Sequence, residues 1–223
     1  MAIDPGTDAG GVVEGVAVPL AADNVDTDMI IPRQFLKTVA KAGLGAALFH
    51  DDRYAADGEE RASFILNQAA FRDGRILLAG ANFACGSARE HACWALRDFG
   101  FRVIVAEGFS SFFFSNCFNN ELIPVTLPGE VLRDLIAQAR SGAPATMRVD
   151  VSRSCLCDAN GHEHGFELPA YQRQRLLSGR DEISDSLLED TRIRALEQAL
   201  RAAEPWRFPG GRAAGSAHGS AGV

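Results

Sequence analysis

Residues 75–127, RILLAGANFACGSAREHACWALRDFGFRVIVAEGFSSFFFSNCFNNELIPVTL, decide the fold. Arg75–Ala81 (RILLAGA) and Phe101–Ala106 (FRVIVA) are short apolar runs of buried-strand length, and Leu122–Leu127 (LIPVTL) is a third. Between the first two, Ser87–Phe99 has helical character and stops at Gly100, the usual helix punctuation. Ser110–Asn119 is a short aromatic helix before the third strand. Strand, helix, strand, helix, strand within so short a span implies parallel pairing through right-handed crossovers. The fold class is therefore α/β with parallel central strands.

Outward from this segment, Val12–Leu20 (VVEGVAVPL) reads as a first strand, Glu130–Arg140 as an amphipathic helix and Ala145–Val151 as a strand, with a further strand near Gly165–Leu168. Ser186–Ala203 reads as a C-terminal helix, with Leu187, Leu188, Ile193, Leu196 and Leu200 near helical spacing and Ser186-x-x-Glu189 as a capping box. Residues 1–11 and 205–223, small and glycine-rich, are expected to be flexible, which leaves one domain over 12–204. Residues 33–73 read as short helices and a long connection; Gly43 and Gly45 interrupt it, and glycine-bearing connections are where lids reside. The stretch 33–60 is the expected lid.

Composition narrows the function classes. Hydrophobic residues make up 47% and charged residues 23% of the 223, which is globular and excludes a disordered chain. The balance of 22 Lys+Arg against 29 Asp+Glu gives a net charge of −7, the wrong sign for a nucleic-acid scaffold. No apolar run reaches membrane-spanning length, and residues 1–15 lack the basic and apolar regions of a signal peptide. Five cysteines cannot all pair, so reduced thiols in the cytoplasm are expected. Cys155-x-Cys157 is too tight for a zinc knuckle, and Asp23, Asp26 and Asp28 lack the length and glycine of a calcium loop. Their plainer reading is a turn in which Asp and Asn side chains hold their own backbone. No phosphate loop or dinucleotide fingerprint is present. Phe109, Phe112, Phe113, Phe114 and Phe118 read as core or a subunit contact.

Chemistry concentrates in Gly80–Arg97, GANFACGSAREHACWALR, where a strand ends and a helix begins. Ser87-x-x-Glu90 fits a capping box, and a serine at the positive end of a helix dipole is also where an alkoxide is least costly. Arg89 opposes that dipole and, beside a glycine loop, suits bidentate binding of a carboxylate. His91 is either a helix histidine bonded to a backbone carbonyl or a proton relay. Cys85 before Gly86 raises a cysteine nucleophile, though no acyl-enzyme signature surrounds it.

Residues 24–37 (NVDTDMIIPRQFLK), 80–109 and 119–125 (NNELIPV) resemble the 3-isopropylmalate dehydratase small-subunit family, the swivelling domain of aconitase-type enzymes made as a separate chain. LFHDDRY (48–54) and GFELPAYQRQRLLSGRDEI (165–183) extend the similarity over roughly 12–203. The resemblance implies a swivelling β/β/α domain and a hydro-lyase that isomerises 2- and 3-isopropylmalate by dehydration and rehydration in leucine biosynthesis. It places the family motif G-S-S-R-E-H on Gly86-Ser87-Ala88-Arg89-Glu90-His91. Ser87 is then the catalytic base and Arg89, with Gly86 and position 88, binds substrate; Glu90, His91 and Arg33 are supporting residues. Ala88 replaces the motif's second serine and removes a hydroxyl donor, which bears on substrate identity more than on reaction type. The resemblance further implies a large-subunit partner carrying a [4Fe–4S] cluster, no cofactor or metal on this chain, and a small hydroxy diacid as substrate. A sister hydro-lyase for citramalate or homoaconitate, and a non-catalytic paralogue, are the alternatives.

Overall fold

A computed structural model describes residues 11–87, 89–179 and 190–208. The termini expected to be flexible therefore lie almost wholly outside the described residues, as do Ala88 and the Ser186–Glu189 capping box. The chain divides into two compact units, one ending at Gly179 and one beginning after it.

The first unit is built on seven strands in the order β4-β3-β2-β1-β5-β6-β7. They are β1 (Val12–Pro19), β2 (Ile76–Leu78), β3 (Val103–Ala106), β4 (Ile123–Thr126), β5 (Thr146–Asp150), β6 (Cys155–Cys157) and β7 (Glu163–Gly165). β1 to β4 pair in parallel, with Ala17 opposite Ile76, Ile76 opposite Val103 and Val103 opposite Ile123. β1 also pairs antiparallel with β5, which continues through β6 to β7. Parallel strands covered on both faces are apolar throughout; accordingly all of β2 and β3 is buried. Leu77 and Ile104 face a core built with α3 (Glu90–Phe99) and α4 (Ser111–Asn119). Ile76, Leu78, Val103 and Val105 face another, closed by Leu132 and Leu135 of α5 (Gly129–Arg140). Helix α6 (Ala170–Ser178) completes this unit. In the second unit Asp190–Ala203 is helical, with Ile193 and Leu196 exposed and an Asp190–Arg194 ion pair at 2.7 Å.

Two expectations are corrected. Helix α3 begins at Glu90 and not at Ser87, because Asn82, Ala84 and Gly86 take left-handed φ values of 53°, 57° and 87° and carry residues 82–87 as an irregular loop. The last strand is Glu163–Gly165, and it pairs with an unexpected one, Cys155–Cys157. Asp158 organises the turn between them: its carboxylate, buried, accepts from the Asn160 and His162 amides at 2.9 Å and from Gln138 Nε2 at 2.8 Å. Burial alone would raise its pKa, but these donors hold it well below the usual carboxylate range.

The long connection is packed against the core over much of its length. It follows α1 (Thr27–Ile30) and contains α2 (His50–Arg53) and several single 3-10 turns, and Leu44, Ala47, Leu48 and Phe49 are core residues. Gly45 lies against the end of α3: a Cβ there would stand 2.7 Å from the Phe99 nitrogen, while its own amide donates to Asp98 Oδ2 at 2.7 Å. Gly45→Ala should therefore lower stability by about 1–3 kcal/mol in urea unfolding, the usual cost of forcing atoms into filled space. An unchanged midpoint would mean that this contact yields freely.

Candidate functional site

The carboxyl ends of β1, β2 and β3 deliver three loops to one place. Residues 20–27 and 79–87 are joined by backbone hydrogen bonds: Gly80 donates to Ala22 O at 2.9 Å, Asn24 to Ala81 O at 2.8 Å, Cys85 to Val25 O at 3.2 Å and Thr27 to Cys85 O at 3.1 Å. Gly80 permits this approach, since a Cβ would fall 2.7 Å from the Ala22 oxygen. Phe83 bridges to the third loop by accepting from Ser110 N at 3.2 Å and donating to Gly108 O at 2.8 Å. Phe83, Phe109 and Phe113 pack beneath with ring centroids 5.5–6.3 Å apart. Phe113 and Phe118 are core as expected, whereas Phe112 is 65% exposed.

Gly86 and Ser87 are exposed on this platform. The φ of 87° at Gly86 favours glycine, and a Cβ there would meet nothing nearer than 3.8 Å, so the space above it is open. The Ser87 carbonyl accepts from Thr27 Oγ1 at 3.1 Å. The capping-box reading is wrong: Arg89, not Ser87, is the N-cap of α3, and no side chain caps that helix. Glu90 does not reach back; it accepts from Asn120 Nδ2 at 3.0 Å. His91 Nε2 meets Thr38 O at 3.0 Å, the backbone-carbonyl alternative. Cys85 Sγ lies 3.5 Å from Asn24 O and has no histidine partner among the described residues. Ala88 lies outside the described residues.

Arg89 is held by an ion pair at this platform. Its side chain is 14% exposed and its Nη1 donates to Asp28 Oδ1. Arg33 grips the same carboxylate, Nε to Oδ1 at 3.3 Å and Nη2 to Oδ2 at 3.1 Å. Two guanidinium groups thus share one carboxylate. The pair engages Arg89 through Nη1. Asp28 is the residue that sequence reasoning missed as part of the site. Asp26 does what the turn reading expects, accepting from Met29 N at 2.7 Å; Asp23 does not, since it accepts from Ala81 N, 58 residues away, at 2.7 Å. Asp28 instead faces across to α3, 61 residues away in sequence.

Among the described residues the donor set does not fit a metal centre. All five cysteines are free; Cys93 and Cys117 are buried in α3 and α4, and burial, with a contact from Cys93, pushes the Cys117 thiol well up. Among the described residues no three His, Cys, Asp or Glu side chains converge on a common point. No helix of these residues is long and apolar enough to cross a membrane.

Residues 11–130 match the Aconitase C-terminal domain family. The chain is 45% identical over 192 residues to the 3-isopropylmalate dehydratase small subunit of Paramagnetospirillum magneticum, covering 86% of this chain and 96% of that one. It is 47% identical over 195 residues to that of Rhodospirillum centenum, covering 87% and 96%. The crystal structure of 3-isopropylmalate dehydratase from Methanocaldococcus jannaschii shares the fold, with a TM-score of 0.59 at 22% identity over 83% of this chain and 99% of that one. The swivelling-domain architecture and the sequence agree along most of the molecule, and the chain belongs to the 3-isopropylmalate dehydratase small-subunit family, built on the aconitase C-terminal domain.

Proposed function

We propose that this chain is the swivelling half of a two-chain hydro-lyase that interconverts 2- and 3-isopropylmalate through 2-isopropylmaleate in leucine biosynthesis. The observation that carries the reading is Arg89, braced by Asp28, two residues from exposed Ser87 on a loop platform at the carboxyl ends of parallel strands. Residues 12–204 are the swivelling domain with its C-terminal helical extension, in line with the length matched in its relatives. Its partner is the large subunit and its compartment the cytoplasm, where five unpaired thiols stay reduced.

Each group has a task that its surroundings suit. Arg89 holds a substrate carboxylate through its guanidinium and fixes the neighbouring carbon. Ser87 takes the proton from that carbon, and the adjacent guanidinium and the positive end of α3 favour its alkoxide. Electrons of the broken C–H bond form the alkene as hydroxide leaves from the next carbon; re-addition of water at the other carbon completes the isomerisation. Loss of hydroxide takes a Lewis acid, which we assign to a [4Fe–4S] cluster on the large subunit. Gly86 leaves room for substrate.

The test is anaerobic reconstitution with the large subunit and a panel of hydroxy diacids. Turnover of 3-isopropylmalate should exceed that of citramalate and homoaconitate by about tenfold or more, the discrimination a pocket gains from one or two methylenes. A preference for either competitor would move the assignment to a sister hydro-lyase. No turnover of any diacid would make the chain a non-catalytic paralogue.

A further inference from the structure

Residues 36–43 form a strap between two fixed points. On one side Ile31 and Pro32 are buried and Arg33 is bound to Asp28; on the other, Leu44 and Gly45 are buried and the Gly45 carbonyl accepts from Arg53 Nη1 at 3.1 Å. Between them Lys37 and residues 39–43 are exposed, Val39 to 94%. Apolar burial therefore contributes little to holding the strap down. What holds it is a row of polar contacts along α3. Asp28 meets Arg89, the Thr38 carbonyl meets His91 Nε2 at 3.0 Å, and Lys41 lies over the Trp94 ring at 5.4 Å while its Nζ donates to Asn120 Oδ1 at 3.2 Å.

The receiving side of this row is rigid. Asn120 is 7% exposed, and its amide also donates to Glu90 Oε1 at 3.0 Å and Asn116 O at 2.9 Å and accepts from Trp94 Nε1 at 2.9 Å. The His91 ring rests on Trp94 with centroids 4.5 Å apart. A carbonyl can only accept, so its contact keeps a proton on His91 Nε2. The strap thus docks on a surface whose polar groups are already fixed by α3 and α4, and only the strap side can let go.

We propose that His91, with Lys41, Trp94 and Asn120, is a latch that holds the 36–43 strap along α3 and so positions the substrate-facing end of that segment at Arg33 and Asp28. His91 is a positioning residue acting through the Thr38 carbonyl, not a proton relay. The inference rests on the reading of Ser87 and Arg89 as the substrate site. Releasing the latch leaves Ser87 and Arg89 in place, so it weakens substrate capture more than the chemical step.

The test combines limited trypsin proteolysis of the full chain with steady-state kinetics of the two-chain enzyme. His91→Leu removes the donor and His91→Gln keeps one. Cleavage after Lys37 and Lys41 should quicken about fivefold in His91→Leu, the effect of one net hydrogen bond, and return toward the parent rate in His91→Gln. In the reconstituted enzyme KM should rise about fivefold for His91→Leu with kcat changed less than about twofold, again with recovery by Gln. Lys41→Met, on the exposed strap where folding is not at stake, should quicken cleavage at Lys37 in the same direction. Unchanged cleavage in both His91→Leu and Lys41→Met overturns the latch even if the enzyme turns over. Faster cleavage with an unchanged KM overturns the positioning role. An inactive parent complex would sink the hydro-lyase reading and leave the latch to be decided by proteolysis alone.

Discussion

Ser87→Ala in the reconstituted enzyme should lower turnover by about 10²–10⁴-fold, the usual contribution of a positioned general base, while this chain melts as the parent does. The two halves of that expectation come from different observations. A serine that both caps a helix and acts as base would lose stability and activity together on replacement. Here the cap position of α3 belongs to Arg89 and Ser87 is exposed, so its hydroxyl carries none of the helix's unsatisfied amides. Among the described residues the tertiary bond that Ser87 makes uses its carbonyl, which alanine retains. The stability change should stay within about 0.5 kcal/mol. Ser110 is the internal control. It does cap α4, accepting from Phe113 N at 3.3 Å, so Ser110→Ala should lose about 1 kcal/mol of stability with little loss of turnover. If Ser87→Ala turns over within tenfold of the parent, the base is another group.

How this site could be read from sequence, and where it could not, follows from the range of the interactions. The strands at 76–78, 103–106 and 123–126 are legible because both faces are covered, so all their residues but the exposed Thr126 are apolar and no register is needed to see them. The start of α3 is not. Ser87-x-x-Glu90 satisfies a capping pattern, but the left-handed residues at 82, 84 and 86 are set by pairing with the 20–26 loop, some 60 residues away, and they carry the chain out of helical geometry past Ser87. Short strands such as Cys155–Cys157 hide for a similar reason: a hairpin held by one buried carboxylate needs no long alternating pattern. Asp28 stands in a run of polar residues that all look like turn chemistry, but of the three carboxylates only Asp26 holds the backbone of its own turn, while Asp23 reaches Ala81. Only the fold distinguishes the third, Asp28. The Thr27-Asp28 pair inside the segment that carries the family resemblance is the one local signal that could have singled it out.

That third carboxylate makes the second large expectation. Arg89→Lys should lower kcat/KM by about 10–100-fold, because an ammonium cannot reproduce the guanidinium fork and hydrogen bonds to charged groups are worth roughly 1.5–3 kcal/mol. Asp28→Ala should lower it by a similar factor without touching the substrate, since Arg89 then loses the contact that orients its guanidinium. The double variant should cost clearly less than the sum, with a coupling of about 0.5–3 kcal/mol, as expected of two groups that act as a unit. Charge alone argues the other way: deleting Asp28 leaves Arg33 and Arg89 uncompensated and should draw a dianion in more strongly. Orientation should win, because the Arg89 side chain is largely buried and its fork must be aimed, whereas Arg33, 76% exposed, adds a screened charge. The four kcat/KM values decide between them. Additive losses would separate Asp28 from Arg89, and a lower KM in Asp28→Ala would make Asp28 a competitor for the arginine that substrate must displace.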